Sequence, residues 1–166
     1  MCVDLDSHSV MEVLENAFSD VKAEMLSFYR QLQKTGRVEE RFHVTLMHYK
    51  SSRLCPDLWK RYVGLYDAAK ESSDRLGKCE VVLQRVLFDE RVMAIEVSLN
   101  SIDGEWECAT ILLYITVARR DETVKAKKSN DLLARRMDPG LAKDSLSEIV
   151  LVTRPVLVGD VKGVSY

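Results

Sequence analysis

Residues Arg41–His48 read RFHVTLMH, and their alternation of apolar and polar side chains predicts a β-strand. Successive side chains on a strand point to opposite faces, so His43 and Thr45 project together, roughly 6.5–7 Å apart along the strand. By the same parity His48 is expected on the other face. An imidazole beside a hydroxyl can hold a phosphate and move a proton at once, which makes this His-x-Thr pair a candidate for acid–base chemistry on a phosphoester. The chain has only three histidines. The third, His8, is read as a solvated residue where a helix begins.

On the N-terminal side, CVDLD (2–6) reads as a short strand, so close to Met1 that the chain resembles a domain cut from a longer protein. Apolar residues then recur at Val10, Leu14, Phe18, Val21, Met25, Phe28 and Leu32, and that period predicts one long amphipathic helix. Ser7 or Ser9 is expected to cap it and Gly36 to end it.

On the C-terminal side, Pro56 opens a second helix with Leu58, Tyr62, Leu65 and Ala69 on its apolar face. Two valine- and leucine-rich runs, 78–88 and 91–99, meet at Asp89-Glu90 and predict a hairpin. A loop with Gly104 leads to ATILLYITV (109–117), predicted as a strand buried on both faces. A polar, lysine-rich loop (119–129), a short helix (130–137) and two closing strands (148–153 and 156–164) complete the chain. The order β-α-β-α-β-β-β-α-β-β predicts an α+β fold, mostly antiparallel, with helices packed against the sheet.

The 166 residues suit one domain spanning 1–166. Hydrophobic residues make up 46% and charged residues 30%, an ordinary globular composition. No apolar run approaches the ~20 residues that span a bilayer, so no membrane partner is expected. The four cysteines form no CxxC pair, so they are read as reduced core fillers of an intracellular protein, with no metal site. The net charge is −2, so any polyanion site must be a local basic patch. Between residues 119 and 136, seven positive charges face three negative ones and leave the segment at +4. Arg119, Arg120, Lys125, Lys127 and Lys128 are therefore candidate RNA-binding residues, a solvated loop being the alternative. Trp59 and Tyr62 are read as core, and Trp106 as a loop-packing residue with base stacking as the alternative.

FHVTLMHYKSS (42–52), followed by PDLWKRYVGLYD (56–67), resembles the first histidine-motif region of the cyclic phosphodiesterase domain of fungal tRNA ligases. The similarity continues through VVLQRVLFDERVMAIEVSL (81–99), VKAKKSNDLLARR (124–136) and VLVGDVKGVSY (156–166), and includes FYRQLQKTGRV (28–38) upstream. It covers nearly the whole chain. The resemblance implies a bilobed two-histidine phosphoesterase (LigT-like) fold, with mostly antiparallel sheets flanked by helices. It also implies two His-x-Thr/Ser motifs, one from each half, on strands that face each other across a cleft. One histidine then serves as general base and the other as general acid, while the hydroxyls hold the phosphate. The implied substrate is RNA with a 2′,3′-cyclic phosphate end, a tRNA exon half, opened to a 2′-phosphate during tRNA splicing and RNA repair. No cofactor or metal is implied. The implied partners include other domains of a tRNA ligase, and the implied location is the cytoplasm or nucleus.

The second motif departs from that pattern. Where the family has His-x-Thr-Val, this chain has Tyr114-Ile115-Thr116-Val117, followed by Ala118-Arg119-Arg120 in place of Gly-Thr-Arg. The expected site is therefore His43 and Tyr114 for proton transfer, with Thr45 and Thr116 for phosphate. A phenol has a pKa near 10 against roughly 6.5 for an imidazole, and loss of one acid or base typically lowers the rate about 10²–10⁴-fold. Three outcomes stay open: a weakened phosphodiesterase, an inactive binder of RNA termini or nucleotide phosphates, and a structural remnant. No GxxxxGK[ST] loop is present, so ligation and ATP-dependent phosphorylation are not expected of this chain.

Overall fold

The computed structural model describes residues 1–70, 74–101, 104–138, 140 and 146–163. After β1 (Cys2–Leu5), two helices follow, α1 (Ser7–Phe18) and α2 (Ala23–Lys34), in place of the single long helix expected. The reason is local. The Ser19 hydroxyl and N–H both turn back to the Asn16 carbonyl, at 2.7 and 3.3 Å, and end the first helix. The second starts at Ala23, after four intervening residues, and folds back, so that Phe18 and Tyr29 stack with centroids 4.3 Å apart. The apolar stripe is real, but it serves two elements. The N-cap of α1 is Asp6, whose carboxylate accepts the Ser9 N–H at 2.9 Å, and not either serine. Gly36 ends α2 as expected. Its φ is +64°, and the Arg37 N–H reaches the Leu32 carbonyl at 2.9 Å, a Schellman closure that only a left-handed residue permits cheaply.

β2 (Phe42–Thr45) is shorter than the run 41–48. Leu46 and Met47 are both buried, so the strand alternation has ended. His48 instead caps a 3₁₀ turn (Tyr49–Ser51), its Nδ1 accepting the Lys50 N–H at 3.2 Å, and strand parity does not set its direction. α3 (Pro56–Ala69) buries Tyr62 and leaves Leu65 exposed. The Tyr62 hydroxyl donates to the Glu107 carbonyl and accepts the Glu107 N–H, which pins the loop before β5. Trp106 is 3% exposed, its indole N–H donating to the Lys78 carbonyl at 2.9 Å. It packs the loop and presents no face to a base.

β3 (Arg75–Phe88) and β4 (Val92–Asn100) form the expected hairpin, closed by Asp89, whose carboxylate accepts the Arg91 and Val92 N–H groups. β5 runs only from Tyr114 to Arg119. The preceding stretch is diverted, with the Ala109 N–H on the Leu46 carbonyl at 2.8 Å and Ile111 87% exposed. α4 (Lys128–Met137), β6 (Ser147–Val150) and β7 (Val156–Lys162) follow; the expected strand end at Val164 lies outside the described residues.

All strand pairings are antiparallel, in the order β4-β5-β2-β1-β7-β3-β6. β3 also pairs with β4, which closes the ladder into a barrel-like ring with β6 attached at its side. The fold is thus mixed α and β, with four α-helices among the described residues. One sheet face carries Val3, Leu5, Phe42, Val44, Ile115 and Val117 into a core shared with α1, α2 and α3. On the opposite face, α4 seals a smaller cluster in which Leu132 and Leu133 meet Leu87, Val92 and Ala94. No described helix is long and apolar enough to cross a membrane.

Candidate active site

β1, β2 and β5 lie side by side. Asp4 pairs with His43 and Cys2 with Thr45 across the first junction, and Val44 pairs with Ile115 across the second. The antiparallel register then sets His43 beside Thr116 and Thr45 beside Tyr114. Because Phe42 and Val44 point into the core, His43 and Thr45 point away from it and are exposed. Ile115 and Val117 take the same inward parity on β5, which leaves Tyr114 and Thr116 outward. The four side chains expected from the two motifs therefore share one sheet face. They line a cavity of about 210 Å³ together with Glu39, Arg41, Arg119 and Ala126. The motif strands are direct neighbours in one ladder.

The four are not equivalent. The Thr116 hydroxyl is 3.0 Å from that of Ser129, a fully buried residue in the first turn of α4. Thr116 thereby ties β5 to α4 as well as lining the cavity. Tyr114 is partly buried, its ring packed against the α4 cluster with Leu112. Burial, with smaller contributions from Cys108 and Asp131, raises its pKa above the ordinary phenol value. At neutral pH its hydroxyl is thus a protonated donor and not a base.

The basic segment divides in two. Arg119 is bound to Glu39 at 2.7 Å, Arg120 to Asp121 at 2.9 Å and Lys128 to Asp131 at 2.8 Å. Arg135 reaches Asp89 at 2.8 Å and Arg136 reaches Glu96 at 3.0 Å, holding α4 to the hairpin. The Thr123 hydroxyl, and then Arg120, draw the Asp121 carboxyl down to about 2, so a fixed negative charge sits among these arginines. Lys125 and Lys127 are exposed and form no ion pair among the described residues.

Sequence reasoning missed three members of this surface. Arg41 precedes His43 by two residues, so the same strand parity places it on the same face, and it borders three cavities around that histidine. Its signal was available. Asp4, held by Lys162 at 2.6 Å, and Glu39 reach the site only through sheet pairing, which no local pattern reveals. Among the described residues no three His, Cys, Asp or Glu side chains gather closely enough to hold a metal ion.

A family model for the fungal tRNA ligase phosphodiesterase domain matches residues 1–164. The chain belongs to that family. The crystal structure of a fungal RNA kinase resembles this fungal tRNA ligase phosphodiesterase domain with a TM-score of 0.67 over 98% of its length, at 16% identity. At that identity the likeness speaks for the fold alone. This family member spans 45% of the kinase chain. No curated protein sequence matches it.

Proposed function

We propose that this domain binds RNA ends carrying a 2′,3′-cyclic phosphate and hydrolyses them to a 2′-phosphate, at a rate lowered by the tyrosine at position 114. The observation that supports this is the shared sheet face: His43, Thr45, Tyr114 and Thr116 line one cavity. In this reading His43 takes the proton of the attacking water and the Tyr114 phenol protonates the leaving O3′. Thr45 and Arg41 hold the non-bridging oxygens, with Thr116 contributing as far as its bond to Ser129 allows. A phenol raised in pKa remains a competent donor to an alkoxide but cannot exchange roles with His43. That asymmetry is the physical ground for slow turnover.

The finer fold reading accompanies this. In this reading the two arms that leave the β2–β5 seam, β1 with β7 and β4, are the halves of a bilobed two-histidine phosphoesterase formed by one domain over 1–166, and both arms end on β3. The whole protein's setting, a tRNA ligase acting on tRNA exon halves in the cytoplasm or nucleus, is part of the same proposal. A second reading, a binder of RNA termini without turnover, is favoured by one observation: Tyr114 is packed under α4.

Hydrolysis of adenosine 2′,3′-cyclic phosphate separates the two, measured for the natural chain, His43→Ala and Tyr114→His. The enzyme reading expects slow turnover that His43→Ala abolishes. An inert natural chain that Tyr114→His awakens identifies the binder. Inactivity of all three, together with no binding of adenosine 2′-monophosphate, rejects both.

A further inference from the structure

The cavity that holds His43 is not the only one bordered by Tyr114. On the other side of a wall formed by Thr45 and Tyr114 lies a second cavity of about 250 Å³, bordered by His48, Ser51, Lys127 and Asn130. We propose that the terminal nucleoside of the RNA occupies this second cavity and that Lys127 grips the phosphate on its 5′ side, so the domain prefers an RNA end to a free cyclic mononucleotide. This rests on the phosphodiesterase reading above.

The direction comes from the chemistry. When water attacks the cyclic phosphate, a new O–P bond forms as the P–O3′ bond breaks, and the two oxygens stand on opposite sides of phosphorus. The proton of water passes to the His43 imidazole. Tyr114 gives its proton to O3′, and the phenolate recovers one from solvent. The ribose carries both O2′ and O3′, so the nucleoside lies on the Tyr114 side, away from His43. That is where the second cavity opens.

Its lining suits a nucleoside. The side chains of Ser51, Lys127 and Asn130 make no hydrogen bond among the described residues, so their donors and acceptors face the cavity uncommitted. His48 borders the same cavity, its Nδ1 accepting the Lys50 N–H. For the 5′ phosphate, the choice of cation follows from the ion pairs. Arg119, Arg120 and Lys128 are each bound to a carboxylate, and Asp121 keeps a negative charge beside the first two. Lys127 lines the second cavity without such a partner.

The test compares dissociation constants for adenosine 2′-monophosphate and for the dinucleotide ApA ending in a 2′-phosphate, using the natural chain and Lys127→Gln over a range of salt. Thermal melting of the variant confirms that it folds. The natural chain is expected to bind the dinucleotide more tightly. In Lys127→Gln that preference, taken as the ratio of the two constants, shrinks about tenfold. The slope of log affinity against log salt for the dinucleotide falls by about 0.7, the loss of one single-strand phosphate contact. If the natural chain binds both ligands and Lys127→Gln leaves the ratio and the slope unchanged, this assignment is overturned and the phosphodiesterase reading stands. Failure of the natural chain to bind either ligand removes both.

Discussion

At the scale of single residues, Tyr114 and Thr116 carry the sharpest expectations. Burial raises the Tyr114 pKa, so its phenol stays protonated well past neutrality and the falling, alkaline limb that a general acid gives to a pH–rate profile is absent near neutral pH. Activity should therefore not fall between neutral and mildly alkaline pH. In Tyr114→His the donor must itself be a protonated imidazole, so a falling limb should appear near neutral pH; pH profiles of the two proteins test this. Thr116 and Ser129 form a pair in which each satisfies the other. Thr116→Val leaves a buried hydroxyl unpartnered and is expected to destabilise the fold by about 1–3 kcal/mol. Adding Ser129→Ala should return part of that loss, and chemical denaturation of the two single variants and the double variant measures the coupling. At this scale the sequence was informative where parity operates. A period of two placed His43 with Thr45; Tyr114 and Thr116 entered through the resemblance to the family's second motif, and only the β2–β5 pairing sets the two pairs on one face. Arg41 was readable by the same rule and was overlooked. The commitment of Thr116 to Ser129, thirteen residues away, has no local signal.

At the scale of elements, the lesson comes from the first helix. Val10 to Leu32 keeps one apolar stripe whether the chain runs straight or folds back, because both helices bury the same face. Only the small hydrogen-bonding pattern at Ser19 distinguishes the two. The break matters for stability: Phe18 is fully buried, stacked on Tyr29 and 6.0 Å from Phe88, and so joins α1, α2 and β3. Phe18→Ala is expected to destabilise the fold by about 3–5 kcal/mol, measured by denaturant titration. β5 shows the converse. Its composition promised nine strand residues, but Ala109 to Leu113 find their hydrogen bonds elsewhere, on Leu46 and Val97 among others. Composition misjudged burial here, since Ile111 is exposed, and it does not report which backbone partner is near. The β3–β4 hairpin was legible because its two strands and its turn are contiguous.

At the scale of the whole molecule, the acidic and basic groups of the core set the response to pH. Burial pushes the Cys79 thiol up to about 11 and moves Cys2, Tyr29 and Tyr62 upward too. In the unfolded chain a thiol releases its proton near pH 8.5 and a phenol near 10. The folded state thus holds more protons in alkali, and its stability, complete below those values, falls as pH rises through them. The melting temperature under reducing conditions should drop between about pH 8 and about pH 10, and Cys79→Ala should make that drop shallower.

The ring of strands has one more consequence, for the order in which the molecule can be made. β1 borders the candidate site through Asp4 and Cys2, yet its other neighbour is β7, and Lys162 reaches back to Asp4 across 158 positions of sequence. During synthesis the first strand must wait for nearly the last before its second edge is covered. Closing so large a loop carries an entropic penalty that no local contact offsets, and folds built on such distant pairings assemble slowly. On a translating ribosome, the surface around His43 would therefore be completed only after β7 had been made and had paired with β1.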